Sequence, residues 1–179
     1  MTMIKKKIVC SHSKENILQY LISPLDTNVP GFVRLVDYFE YKAPMIDSVH
    51  SQGNSISKEK QQELLDAMLS DSNMISHSRF LERIQKNSLK AFNLEGNEIC
   101  IKCPRMICRI GKDETEFKAL LRHLRNGFAH GRTYVKKTKN QTYVIIEDLD
   151  KKKQCSAKIV ITKAILNRWY KILKTVNIT

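Results

Sequence analysis

Apolar residues recur at one spacing before Gly131 and at another after it, and this change of period limits what the chain can fold into. Up to that glycine they return every three or four positions, the repeat of a helix with one buried face. Ile17, Leu18, Leu21 and Ile22 give a first helix over residues 13–22, ended before Pro24. Phe32, Leu35, Val36 and Phe39 continue past Ala43 and Pro44 to Met45, Ile46 and Val49, as one kinked helix or two collinear ones. Lys58 to Ser70 and Ser78 to Phe92 give two more, and the turn-rich stretch Ser51 to Ser57 is too short to separate domains. Residues 99–110 read as irregular, because β-branched side chains favour extended backbone while Pro104 opposes a regular central strand.

Beyond Gly131 come the β-branched runs Thr133 to Lys137, Thr142 to Glu147 and Ala157 to Ile161, separated by polar turns. Thr162 caps a last helix carrying Ile165, Trp169, Ile172, Leu173 and Val176. The expected fold is mainly α: an antiparallel helical bundle over 13–130, a small antiparallel β-meander over 133–161 and a closing helix over 162–176. Residues 1–179 are expected to form one domain, long enough to bury a core without staples.

One helix gathers ionisable residues at a spacing that chemistry can use. Asp113-Glu114-Thr115-Glu116 predicts its start as a capping box opened by Asp113, and Gly131 predicts its stop. Phe117, Leu120, Leu121, Leu124 and Phe128 form an apolar stripe; His123, Asn126 and His130 project from the other side, flanked by Arg122 and Arg125. Gly127 lies mid-helix, where glycine costs about 1 kcal/mol relative to alanine, so a neighbouring helix or a nucleic-acid backbone is expected to approach closely there.

The string Arg125-Asn126-Gly127-Phe128-Ala129-His130, followed by Gly131, resembles the Arg-x4-His signature of HEPN domains. That resemblance implies a HEPN-like helical bundle, dimerised so that two signature helices face each other, with Arg125, Asn126 and His130 as catalytic residues of a metal-independent endoribonuclease. It also implies a toxin or defence effector, with an antitoxin or other regulatory partner possible. Toxins of the family that pair with a nucleotidyltransferase antitoxin often carry Tyr two residues after the signature His. Here residue 132 is Arg and Tyr134 comes later, which speaks against that mode.

The chemistry so implied needs a proton acceptor for an attacking 2′-hydroxyl, a donor for the leaving 5′-oxygen and positive charge on the phosphorane oxygens. Histidine, with an ordinary pKa of about 6.5, suits proton transfer, and arginine offers phosphate a charged planar fork. One chain supplies one set, so two facing copies, or His123 as a second imidazole, complete the acid–base pair.

The net charge of +13 falls on one half: residues 1–99 hold 12 Lys/Arg and 12 Asp/Glu, and residues 100–179 the other 19 and 6. Such a basic half is the footprint of a polyanion binder and makes RNA the expected partner. Arg122, His123, Arg132, Lys136 and Lys137 are the expected substrate-binding residues. No cofactor and no metal are expected: Cys100 and Cys103 have the spacing of a zinc-binding pair and Cys108 follows, but no fourth ligand is evident. No apolar run approaches the roughly 18 residues of a membrane span and no secretory leader is evident, so a cytoplasmic protein with no membrane association is expected. The rival functions are a non-catalytic HEPN-like module that binds RNA or protein, and an interaction protein held by zinc at Cys100 and Cys103.

Overall fold

The computed structural model describes residues 17–19, 29–43, 56–70 and 74–175. Its centre is a five-stranded mixed sheet of β2 (Ser78–Leu81), β4 (Arg105–Arg109), β7 (Cys155–Thr162), β6 (Thr142–Leu149) and β5 (Thr133–Lys137), in that spatial order. β2 lies parallel to β4 and the other neighbours are antiparallel. A separate two-stranded ribbon pairs β1 (Ile17–Gln19) with β3 (Glu98–Cys100). The helices are α1 (Phe32–Asp37), which runs on as a π-helical turn (Tyr38–Lys42), α2 (Lys58–Leu69), the short α3 (Lys86–Ala91), α4 (Glu116–Ala129) and α5 (Lys163–Lys174).

The expectation of a mainly helical bundle is therefore overturned: the sheet, not a helix pair, is the middle of the molecule. The meander was expected with almost these limits, but it is only part of that sheet, because β7 carries β4 on its other side. Residues 99–110 are irregular only in part: they hold the end of β3 and all of β4, and Pro104 stands just before β4, where its missing N–H interrupts no ladder bond. Phe80, Leu81, Ile84 and Leu89 fit a helical repeat, yet Ser78–Leu81 is a strand, because pairing with β4 outweighs a weak local preference. Of the first expected helix only Ile17–Gln19 is described, as a strand; Pro44, Met45, Ile46 and Val49 lie outside the described residues.

The sheet is covered on both faces. Met106, Cys108, Val144, Ile146, Ile159 and Ile161 join Phe32, Phe39, Leu65, Leu124, Phe128 and Trp169 from the helices in one core. Ile107, Tyr143, Ile145 and Val160 point the other way, onto Phe92, Leu94, Ile99 and Ile101. The fully buried Arg105 guanidinium binds that second layer down, donating to the carbonyls of Phe92 (2.7 Å), Asn93 (2.7 Å), Cys100 (2.8 Å) and Cys103 (2.6 Å).

α2 and α5 form where expected, each opened by a hydroxyl: Ser57 Oγ accepts from the Lys60 N–H at 3.2 Å and Thr162 Oγ1 from the Ile165 N–H at 3.2 Å. Trp169 on α5 donates its Nε1–H to the Met68 carbonyl at 2.7 Å, joining the last helix to the end of α2. Thr162→Ala is expected to cost about 1 kcal/mol, because it orphans a buried helix-end donor. Urea unfolding should show this as a lower midpoint at unchanged slope.

Candidate active site

The signature lies on α4, and the sheet side of this helix fixes how it sits. Thr115, not Asp113, is the cap, its Oγ1 accepting from the Lys118 N–H at 3.3 Å; Asp113 is in a left-handed turn with φ 60°. Glu114 instead accepts the Gly111 N–H at 2.7 Å. The other end closes as Gly131 predicts: at φ 62° it lets its own N–H reach the Phe128 carbonyl (3.0 Å) and the Arg132 N–H reach that of Gly127 (2.8 Å).

Gly127 is the contact point. A Cβ added there would stand 2.2 Å from Cγ2 of Ile146 and 3.2 Å from the Glu147 carbonyl oxygen, so the close neighbour is strand β6 rather than a helix or a nucleic acid. The apolar stripe from Phe117 to Phe128 is buried throughout, as its spacing predicts. Phe128 meets the rings of Phe32 and Phe39, each at 6.2 Å between centroids.

The polar residues divide. His123 is fully buried: its Nδ1 stands 2.7 Å from Asp148 Oδ2 and its Nε2 2.7 Å from the Arg109 carbonyl oxygen. The Arg122 guanidinium lies against Glu114, with Nε to Oε1 and Nη2 to Oε2 both 2.7 Å, and also donates to the Arg109 carbonyl at 3.1 Å. His123 is therefore closed off from an outside ligand, whereas the paired Arg122 side chain stays 32% exposed. Arg125 and His130 are exposed, Asn126 and Arg132 are half-buried, and Lys136 and Lys137 are exposed on edge strand β5. Tyr134, on the same strand, packs on the second core, on the sheet face opposite the one that Phe128 of α4 covers. Asn126 ties the exposed pair to the interior, its Nδ2 donating to Asp148 Oδ2 at 3.1 Å.

Asp148 is the neighbour that sequence spacing does not place beside α4; Glu114 adjoins the helix start, but its pairing with Arg122 is not signalled by spacing. The available signal at Asp148 is an acid following the apolar run Val144, Ile145 and Ile146; a charge in such a strand calls for a partner. Burial pushes the Asp148 carboxyl up, but hydrogen bonds from His123 and Asn126 and the charges of His123 and Arg122 outweigh it and hold the group below the ordinary carboxylate range. Glu114 is likewise lowered: burial raises it, while Arg122 and the Gly111 N–H pull it down further. Carboxyls lowered on folding stabilise the fold above their unfolded pKa of about 4, and that contribution is lost as pH falls through their folded values. Stability measured from pH 6 downward should therefore fall below about pH 4, and fall less steeply in Asp148→Asn, which lacks one of these groups.

Among the described residues no group of three or more His, Cys, Asp or Glu is placed to hold a metal ion. Burial raises the Cys108 thiol and pushes that of Cys155 up to about 11.

The family model described as HEPN pEK499 p136 matches residues 36–177, which include the whole of α4 and the sheet. The chain belongs to this HEPN family. Membership points to a nuclease or RNA-related role of the toxin and defence kind in general; HEPN proteins are commonly ribonucleases and often act as RNA-binding dimers. No curated protein and no solved structure matches this HEPN chain. Among its described residues no helix is long and apolar enough to cross a membrane.

Proposed function

We propose that this HEPN chain is a metal-independent endoribonuclease, acting as a homodimer through its signature helices and serving as a toxin or defence effector. The observation that supports this best is the division along α4: Arg125 and His130 stand in solvent at the end of a helix whose Arg122 is paired with Glu114 and whose His123 is buried against Asp148. The exposed pair thus has a rigid frame beneath it and room for a polyanion above it.

In the proposed reaction, a histidine accepts the proton of a ribose 2′-hydroxyl as its oxygen attacks the adjacent phosphorus. The Arg125 guanidinium neutralises the charge gathering on the non-bridging oxygens. A second histidine returns a proton to the departing 5′-oxygen, leaving a 2′,3′-cyclic phosphate and a 5′-hydroxyl. Two imidazoles are needed and His130 is the exposed one among the described residues, so the second comes from the facing copy; His123 is too deeply buried to serve. Asn126 completes the catalytic set, while Arg132, Lys136 and Lys137 extend the basic surface for the RNA backbone.

The test is incubation of the purified chain with a mixed RNA pool in EDTA, followed by chemical identification of the fragment ends. Fragments ending in 2′,3′-cyclic phosphate support the proposal. Intact RNA held in a salt-dependent complex would overturn it in favour of a binding module.

A further inference from the structure

We propose that Asp148 is a positioning residue for the signature: through its bond to Asn126 it fixes which end of that amide the site can use. The inference rests on the ribonuclease reading and adds to it a residue on another element, β6, 18 positions past His130.

Asp148 is 3% exposed, and a single oxygen, Oδ2, receives both His123 Nδ1 at 2.7 Å and Asn126 Nδ2 at 3.1 Å. Pairing with His123 answers the need of a buried carboxylate for a partner, and the imidazole is held on its far side by the Arg109 carbonyl. Asn126 is the branch of this network that leads outward. It is half-buried, adjoins the exposed Arg125 and precedes the exposed His130 by one helical turn. The charged groups around it, Arg122 and Glu114, bind each other and so leave the Asp148 oxygen to these two donors.

An ionised carboxylate only accepts hydrogen bonds. Whichever way the Asn126 amide could otherwise stand, Asp148 selects the rotamer with nitrogen inward, so Oδ1 is turned away from the carboxylate. What the signature then offers beside Arg125 is a fixed acceptor, suited to an imidazole N–H or to the 2′-hydroxyl proton. An acceptor held by a buried charge orients such a donor before substrate arrives, which raises turnover more than affinity.

The experiment is a double-mutant cycle on cleavage of one single-stranded RNA oligonucleotide by the full chain, using Asp148→Asn, Asn126→Ala and the double variant, with melting curves to establish that each is folded. If Asp148 acts through Asn126, each single variant lowers kcat about tenfold with KM within about twofold, and the double variant is no slower than Asn126→Ala. Losses that multiply, or a folded Asp148→Asn protein with undiminished kcat, would overturn the assignment. Should Asp148→Asn fail to fold, Asp148→Glu enters the same cycle, since it keeps a carboxylate for His123 but moves it relative to Asn126. A native chain that cuts no RNA overturns the ribonuclease reading and this inference together; an active chain with multiplying losses overturns this inference alone.

Discussion

His130→Ala is expected to lower kcat for RNA cleavage by about 10²–10⁴-fold, the usual loss when a proton-transferring group is removed, with little change in RNA affinity. On the proposed reading that affinity rests on phosphate contacts from Arg125, Arg132 and the β5 lysines, so its dependence on salt should also persist. Stability should change by less than about 1 kcal/mol, because His130 is an exposed C-cap residue and the turn is closed by backbone bonds of Gly131 and Arg132. Arg125→Lys is the informative companion. It keeps the charge but removes the planar fork, so kcat should fall there while binding holds. Adding excess His130→Ala chains to native chains should lower cleavage per native chain if facing copies share a site, because a mixed dimer holds one of the two imidazoles, and single-turnover cleavage at constant native protein measures it.

Gly127→Ala should be strongly damaging, since among the described glycines an added Cβ meets its nearest atom closest here. It gains about 1 kcal/mol of helix propensity, yet its Cβ would lie 2.2 Å from a γ-carbon of Ile146, which is branched, 1% exposed and paired in β6. Either the helix lifts from the sheet or the strand moves, and overpacking of this kind costs on the order of 3 kcal/mol. Ile146→Ala removes the offending carbon and leaves its Cβ 3.7 Å away, an ordinary contact. The two substitutions should therefore be strongly non-additive: in the Ile146→Ala background, Gly127→Ala should cost far less, what remains coming from the Glu147 carbonyl oxygen 3.2 Å away. Denaturant midpoints of the four proteins decide this. Equal costs of Gly127→Ala in both backgrounds would show that the clash is not what keeps a glycine there.

The signature helix was easier to anticipate than the sheet. α4, its buried stripe and its glycine stop follow from local spacing, and so do the caps of α2 and α5, because these are settled within a few residues of the chain. The short strands beside them are not. Ser78–Leu81 becomes β2 only through its neighbour β4, and β4 and β7 are buried on both faces, so neither displays the alternation that marks a half-buried strand. The same limit applies to Arg122 and His123. Helical geometry places them on the polar side, but their partners come from Glu114, Arg109 and Asp148, and the inward pull of those groups belongs to the tertiary structure. Arg125 and His130, with no such partners recorded among the described hydrogen bonds, stay where spacing puts them.

The position of β7 has a consequence for the order of assembly. It is the last strand in sequence yet lies in the middle of the sheet, between β4 and β6. A growing polypeptide that has reached residue 140 already contains the full signature, but neither β6 nor β7. At that stage β4 lacks its antiparallel neighbour, Gly127 has no strand to rest on and Asn126 has no carboxylate to hold it. Pairings this distant in sequence close slowly and late, whereas α4 can form locally at once. The signature residues are therefore translated early and acquire their geometry late, so a half-made chain on the ribosome carries the signature without the frame that orders it.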